Sequence, residues 1–199
     1  MYDVTTLKVC FSAASPLFAP DQARIAVALG VDIRQGYGAT ETSPTVCIAP
    51  VTSKDIAPGS IGRCLPNTIL KVVDENRKMV APGVEGDLWS KGPQVMTLGY
   101  LNRPDATSES MTEDGYYILG DLARIDEKGD IFIGARKKEM IKVMGFQVAP
   151  AELEQILMES PHVKDACALG VKDPLTGESP IVFVVLEDPA YDVNKLKEV

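Results

Sequence analysis

The mostly apolar stretch from Leu7 to Phe11 predicts a buried strand. Asp21 to Leu29 carries helical spacing, with Ile25, Ala28 and Leu29 on one face, and Gly30 supplies a stop. Val31 to Arg34 predicts a second short strand. Strand, helix and strand in that order imply a parallel βαβ unit, and open α/β sheets bind ligands beyond the carboxyl ends of such strands. From Ser60 to Pro93 the pattern changes. Ile69 to Val73 and Asp87 to Ser90 read as short strands separated by turn signals such as Pro82-Gly83. Ala123 to Asp126 and Asp130 to Gly134 flank Glu127-Lys128-Gly129 as a hairpin. These strands predict an antiparallel or barrel-like subdomain. After Arg136 a smaller α+β unit is expected. Met140 to Val143 is its first strand, and Pro150 opens a helix with Leu153, Ile156 and Leu157 at core spacing. Val163 to Val171 and Pro180 to Glu187 follow as strands joined through Asp173 to Glu178, and Asp192 to Val199 starts another helix.

Composition narrows the function classes. The 199 residues are 45% hydrophobic and 24% charged, as in an ordinary globular protein. A formal charge of -8 argues against a nucleic-acid partner, whose phosphates demand clustered cations, and against an anionic membrane surface. A nucleotide stays compatible, because local charge and Mg2+ decide there. Cys10, Cys47, Cys64 and Cys167 are widely spaced, which predicts free thiols rather than a zinc site or disulfide framework. The single histidine, His162, follows Pro161 and suits a surface or capping role. Met1 to Thr6 has no signal-peptide character, and the longest apolar run, Ile181 to Leu186, is too short for a membrane span.

The chemistry concentrates at Gln35-Gly36-Tyr37-Gly38-Ala39-Thr40-Glu41. Two glycines let backbone bend and approach a ligand. Tyr37 offers a flat stacking face. Thr40 and Glu41 set a hydroxyl beside a carboxylate, which suits a phosphate oxygen and a hard cation such as Mg2+. Each residue also has a plain structural reading: Thr-Glu as a helix cap, Tyr37 as a core tyrosine with a satisfied hydroxyl. Val46, Cys47 and Ile48 suit a ligand pocket or the core equally. Asp121, in Gly120-Asp121-Leu122 after Tyr116-Tyr117, has two oxygens that match the two hydroxyls of a ribose; as a bare dipeptide it is equally a turn aspartate. Arg136, Lys137, Lys138 and Lys142 form a basic cluster in an acidic chain, which is also what a solvated linker looks like.

Taken together and in this order, the strings resemble the adenylate-forming ligases: acyl-CoA synthetases, 4-coumarate–CoA ligases and firefly-type luciferases. Ser12-Ala13-Ala14-Ser15-Pro16-Leu17 is similar to that family's small-residue loop, and Gly134 to Lys142 to its hinge segment. Gly145-Phe146-Gln147-Val148-Ala149-Pro150-Ala151-Glu152-Leu153-Glu154 has the form of the 4-coumarate–CoA ligase-like members. The resemblance implies part of the adenylate-forming fold: the end of an open α/β sheet, a barrel-like β subdomain, and a small mobile α+β C-terminal domain. It implies a large-domain portion over 1–136, a small domain over 137–199 and a hinge near 136–139. The implied activity is an ATP-dependent, AMP-forming acyl-CoA ligase that uses ATP, Mg2+ and CoA on a small carboxylic acid.

The resemblance also assigns residues. Ala13, Ala14, Gln35, Gly36, Tyr37, Gly38, Ala39, Thr40, Asp121 and Arg136 would bind ATP or AMP, with Tyr37 packing on adenine and Asp121 on ribose. Thr40 and Glu41 would act at the phosphates, Glu41 as the Mg2+ ligand. Lys138 would be the hinge. Lys142, Gly145 and Gln147 would serve the thioester step, Lys142 as a catalytic residue. Two departures stand out: Ala13 and Ala14 replace the usual glycines, and Met144 replaces a lysine common in luciferases and plant ligases. The family's Pro-Lys-Gly phosphate loop and distal catalytic lysine are not among these residues, so the expectation is a partial chain of a larger ligase, inactive by itself. An amino-acid adenylation domain feeding a carrier protein, a non-catalytic nucleotide-binding remnant and, remotely, a luciferase-like oxygenase are the alternatives. The expected setting is intracellular, cytoplasmic or peroxisomal.

Overall fold

The computed structural model describes residues 3–198. It contains two compact units, Met1–Gly134 and Ala135–Val199. No helix among the described residues is long and apolar enough to cross a membrane.

In the first unit, β1 (Val9–Ser12) and β2 (Asp32–Gly38) pair in parallel, joined by helix α1 (Ala19–Leu29). The expected βαβ unit is present. Pro20 starts the helix, where a missing N–H costs nothing, and Gly30 ends it at φ +66°, a left-handed conformation that glycine adopts freely. The packed face differs from expectation. Gln22, Ile25 and Ala26 are half-buried, whereas Ala28 and Leu29 are exposed. The polar Gln22 takes an inner position because its amide donates to the Ile33 carbonyl at 2.7 Å and accepts from the Gly59 N–H at 2.9 Å.

β2 runs further than its apolar residues suggest. It continues through Gln35 to Gly38, so those motif residues lie on the strand and not beyond it. The reason is β3 (Thr45–Ile48), which pairs antiparallel with it: Gly36 faces Ile48 and Tyr37 faces Cys47. β4 (Arg63–Cys64) completes this sheet in the order β1-β2-β3-β4. Val46 and Cys47 are wholly buried with Ile61 and Ile131, so they belong to the core and not to a ligand pocket.

The second sheet is antiparallel: β5 (Ile69–Val73), β6 (Gly86–Lys91), β7 (Tyr117–Ile125) and β8 (Ile131–Arg136), in that order. It is open. The barrel-like alternative is not what forms, because four strands do not wrap far enough to close. Helix α2 (Pro104–Ser110), absent from the hydrophobic pattern, lies between β6 and β7. Val72, Leu88 and Ala123 form the core of this sheet, and Tyr37 packs against both core clusters. Deep in this unit the Asp130 carboxylate accepts from Arg63 Nε at 2.7 Å and from the Ala57 N–H at 2.9 Å.

The second unit is a four-stranded antiparallel sheet. Its strands are β9 (Ile141–Val143), β10 (Phe146–Val148), β11 (Val163–Asp173) and β12 (Gly177–Leu186), in the order β10-β9-β12-β11. Helix α3 (Pro150–Met158) precedes β11 and packs on it, and its Glu154 carboxylate accepts from the Ala168 N–H at 2.8 Å. Leu153 and Leu157 are half-buried, but Ile156 is exposed, so the core face is narrower than its spacing implies. The last element is a 3-10 helix, Val193–Glu198, rather than an α-helix; Val199 lies outside the described residues. His162 is exposed and stacks on Tyr191 with ring centroids 3.9 Å apart, a surface role as expected.

β9 and β10 are joined by only Met144 and Gly145, at φ +51° and +87°. Both positions need φ > 0, the geometry of a type I′ hairpin turn, which favours Asn-Gly. A methionine there is strained by about 1–2 kcal/mol, and its side chain is mostly exposed, so it adds little packing. Met144→Asn is therefore expected to stabilise the chain by about 0.5–1 kcal/mol. A higher urea midpoint is the check; a lower one would mean that the Met144 side chain makes a contact worth more than the strain.

Candidate active site

The motif from Gln35 to Glu41 spans the end of β2 and a 3-10 turn, Thr40–Thr42. Thr42, not Thr40, does the capping. Its Oγ1 accepts from the Ala39 N–H at 2.9 Å, and its own hydroxyl lies 2.9 and 2.8 Å from the carbonyls of Ala39 and Pro44. Thr42 is fully buried, so the turn is fixed from inside. Thr40 is left exposed at the surface of the turn. The helix-cap reading of Thr40 and Glu41 thus passes to their neighbour.

Gln35 is buried and turned inward. Its Nε2 donates to the Leu17 carbonyl at 3.1 Å and to Gln22 Oε1 at 3.2 Å. It anchors the end of the small-residue loop Ser12 to Leu17 to the sheet. In that loop Ala13 and Ala14 are exposed, and Ala14 sits at φ +71°. A glycine would adopt that conformation freely, which is where the departure from the family pattern bears on geometry. Gly36 and Gly38 lie against β3; a Cβ on Gly36 would sit 3.3 Å from the Cys47 carbonyl oxygen. Gly38 is tighter still.

Tyr37 and Asp121 are brought together from positions far apart in the chain. The Tyr37 hydroxyl donates to Asp121 Oδ2. Asp121 lies within β7, not in a turn, and is only 6% exposed, so its carboxylate depends on such partners. Gly120 before it has φ +79° and lies where the register of β7 against β6 shifts, between the Leu122 and Ile118 pairs. Tyr37 is at once a core tyrosine with a bonded hydroxyl and a half-exposed ring.

Glu41 has its own surroundings. The Tyr100 hydroxyl donates to Glu41 Oε1 at 2.5 Å, and the Tyr117 hydroxyl lies 3.3 Å from that of Tyr100. Burial, then the bond to Glu41, raises the Tyr100 pKa; burial, then Tyr100, raises that of Tyr117. Both hydroxyls therefore stay protonated as donors near neutral pH. Tyr117 and Asp121 share β7, so Tyr37–Asp121 and Glu41–Tyr100–Tyr117 both tie the motif to that one strand. Tyr100 and Thr42 were not signalled by any string. Only Thr42, three residues after Ala39 at the head of a turn, could have been read as a cap.

In the second unit, Lys142 and Gln147 are direct cross-strand partners, and Gly145 is in the turn between their strands. Lys142 is exposed, and its N–H donates to Glu178 Oε2 at 2.7 Å. Arg136 ends β8 and Lys138 lies in the following turn, where the Glu139 N–H donates to the Arg136 carbonyl at 2.9 Å; both side chains are exposed.

The donor set is compatible with Mg2+ brought in by a nucleotide. Mg2+ is usually held by one or two carboxylates plus substrate phosphates and water. Glu41 supplies one carboxylate, and among the described residues no group of three or more His, Cys, Asp or Glu forms a protein-only cage.

Comparison with known proteins covers most of the chain. The family profile described as AMP-binding enzyme matches residues 1–101, and that of the AMP-binding enzyme C-terminal domain matches residues 152–199. A probable 4-coumarate–CoA ligase 2 of Dictyostelium discoideum is 42% identical over 189 residues, covering 94% of this chain and 34% of that protein. A long-chain-fatty-acid–CoA ligase of Salmonella typhimurium is 45% identical over 167 residues, covering 84% of this chain and 29% of that protein. The o-succinylbenzoate coenzyme A synthetase of Bacillus subtilis, solved in complex with ATP and magnesium ion, superposes with a TM-score of 0.81 at 26% identity, covering 96% of this chain and 39% of that one. The chain spans about a third of the length of the curated relatives it matches. Motif order, sheet topology and profile matches agree, and the chain belongs to the AMP-binding enzyme family.

Proposed function

We propose that the protein carrying this chain is an ATP-dependent, AMP-forming acid–thiol ligase, an acyl-CoA synthetase. The observation that supports this most is the double tie of the Gln35–Glu41 motif to β7, which places Tyr37 with Asp121 and fixes Glu41 through Tyr100. In the first half-reaction a substrate carboxylate attacks the α-phosphate of ATP, and pyrophosphate leaves. In the second, the CoA thiol attacks the acyl-adenylate, and AMP leaves.

The residue roles combine side-chain chemistry with the resemblance to adenylate-forming ligases. A carboxylate has about four acceptor sites, so Asp121 accommodates ribose hydroxyls beside the Tyr37 bond. Tyr37 orients Asp121 with its hydroxyl and presents its remaining ring face to adenine. Gly36, Gly38 and Ala39 keep the strand end narrow, and Gln35 holds the Ala13–Ala14 loop against it. Thr40 donates to a phosphate oxygen. Glu41 would hold Mg2+, which would offset phosphate charge when bound. Arg136 contacts the nucleotide, and Lys138 is the hinge between a domain ending near 136 and one starting at 137. Lys142, Gly145 and Gln147 serve the thioester step. The names of the relatives support CoA as the thiol and a small carboxylic acid as the acyl donor. The expected setting is the cytosol or peroxisome.

Half-reactions test this assignment. Glu41→Ala is expected to slow ATP–pyrophosphate exchange by about a hundredfold, the scale of one preorganised charge partner. Lys142→Ala is expected to leave exchange within about threefold while slowing thioester formation more than tenfold. Equal losses in both half-reactions for Lys142→Ala would remove its separate role, and absence of exchange with any carboxylic acid in the unmutated protein would remove the function.

A further inference from the structure

Glu41 is gripped at both backbone and side chain by one segment that no motif singles out. The Met96 N–H donates to the Glu41 carbonyl at 2.7 Å, and four residues on, the Tyr100 hydroxyl donates to Glu41 Oε1 at 2.5 Å. Tyr100 is itself aimed. Its N–H donates to Thr107 Oγ1 at 2.9 Å, and that hydroxyl donates to the Arg103 carbonyl at 2.9 Å, inside the first turn of α2. Gly99 lets the chain press against the same threonine. It has φ +76°, and a Cβ there would fall 2.5 Å from Thr107 Cγ2. The hydroxyl of Tyr100 has one proton, and Glu41 takes it. With that proton taken, any bond across the 3.3 Å gap has Tyr117 as donor, and Glu41 is a second partner within reach of the Tyr117 hydroxyl.

We infer that Tyr100 is a positioning residue for Glu41, aimed by Gly99 and Thr107 and backed by Tyr117, so that the carboxylate meets the nucleotide-bound cation in a preset rotamer. A glutamate side chain has three rotatable bonds, and ordering it at the moment of binding would weaken the metal site. A donor already on Oε1 removes that cost and turns the carboxylate in one direction. This inference rests on Glu41 being the metal ligand.

The test is a titration of Mn2+ with the α,β-methylene analogue of ATP, read by the loss of the free Mn2+ electron paramagnetic resonance signal, in the protein carrying this chain. Tyr100→Phe is expected to weaken Mn2+ binding about five- to tenfold while leaving metal-free nucleotide affinity unchanged. In a Glu41→Gln background, Tyr100→Phe should add nothing further. Tyr117→Phe should act in the same direction but less, and it carries the test if Tyr100→Phe does not fold. Unchanged Mn2+ affinity in Tyr100→Phe, with a loss in Glu41→Gln, overturns the positioning role and leaves the functional reading standing. Unchanged affinity in Glu41→Gln overturns both. An equal fall in metal-free nucleotide affinity also overturns the inference, because it marks a general structural lesion.

Discussion

Gly38→Ala is expected to destabilise the chain by about 3 kcal/mol, the upper end for an overpacked site. A Cβ at Gly38 would fall 1.8 Å from the Pro44 carbonyl oxygen and 2.7 Å from both the Pro44 carbonyl carbon and Thr45 Cα. All three are backbone atoms, so no side-chain rotation relieves the clash. Pro44 O also faces the Thr42 hydroxyl at 2.8 Å, and Gly38 pairs with Thr45 at the irregular end of the β2–β3 ladder. Relief therefore means moving the turn that carries Thr40 and Glu41. Gly120→Ala is the matched control. Gly120 has φ +79° but nothing within 4 Å of a new Cβ, so only backbone strain of about 1–2 kcal/mol is expected. Urea unfolding followed by the fluorescence of Trp89, which is single and buried, reads both variants. A loss for Gly38→Ala no larger than for Gly120→Ala would show that Pro44 yields freely, and that the close approach does not set the turn.

The glycines of the motif explain how far the sequence could be read. Gly-Tyr-Gly looks like a loop, because glycine is permissive. On the fold it is a strand, because the missing Cβ atoms let β3 lie close against β2. Strand content there is set by a partner ten residues on, which a local pattern does not contain. The same holds for α1, whose apolar stripe suggests Leu29 as a core residue. The helix instead turns Gln22 inward, since an amide that bonds both a strand carbonyl and the Gly59 N–H suits the inside. Ile69 to Val73, by contrast, was legible to the residue, because its apolar run is bounded by turn signals at both ends. The hairpin around Glu127-Lys128-Gly129 was legible for the same reason.

Within the site, strings that carry chemistry were easy to see, and the residues that hold them were not. Glu41 and Asp121 stand in recognisable motifs. Tyr100 sits in a Gly-Tyr dipeptide of no local distinction, and its importance comes from a bond across 59 positions of sequence. Gln35 carried a motif label, yet its side chain is spent on Leu17 and Gln22. Its place in the motif is better understood as the peg that keeps the Ala13–Ala14 loop near the strand end.

Asp121→Ala is expected to weaken nucleotide binding by about 3 kcal/mol, roughly a hundredfold in Kd. Two charge-assisted hydrogen bonds to ribose hydroxyls would be lost, each worth about 1.5–3 kcal/mol before water compensates. Asp121→Asn separates charge from shape. One amide atom still accepts, but the other becomes a donor facing a donor, so an intermediate loss of about tenfold is expected. Tyr37→Phe keeps the carboxylate and removes only its partner. Its loss should be smaller than that of Asp121→Ala, and combining the two should give no more than Asp121→Ala alone, since the hydroxyl acts through the carboxylate. Calorimetric titration with ATP in the protein carrying this chain measures all four. Unchanged Kd in a folded Asp121→Ala variant would remove Asp121 from the nucleotide site. A Tyr37→Phe loss equal to that of Asp121→Ala would instead make the Tyr37 hydroxyl itself a contact to the nucleotide, since phenylalanine keeps the ring face that stacks on adenine.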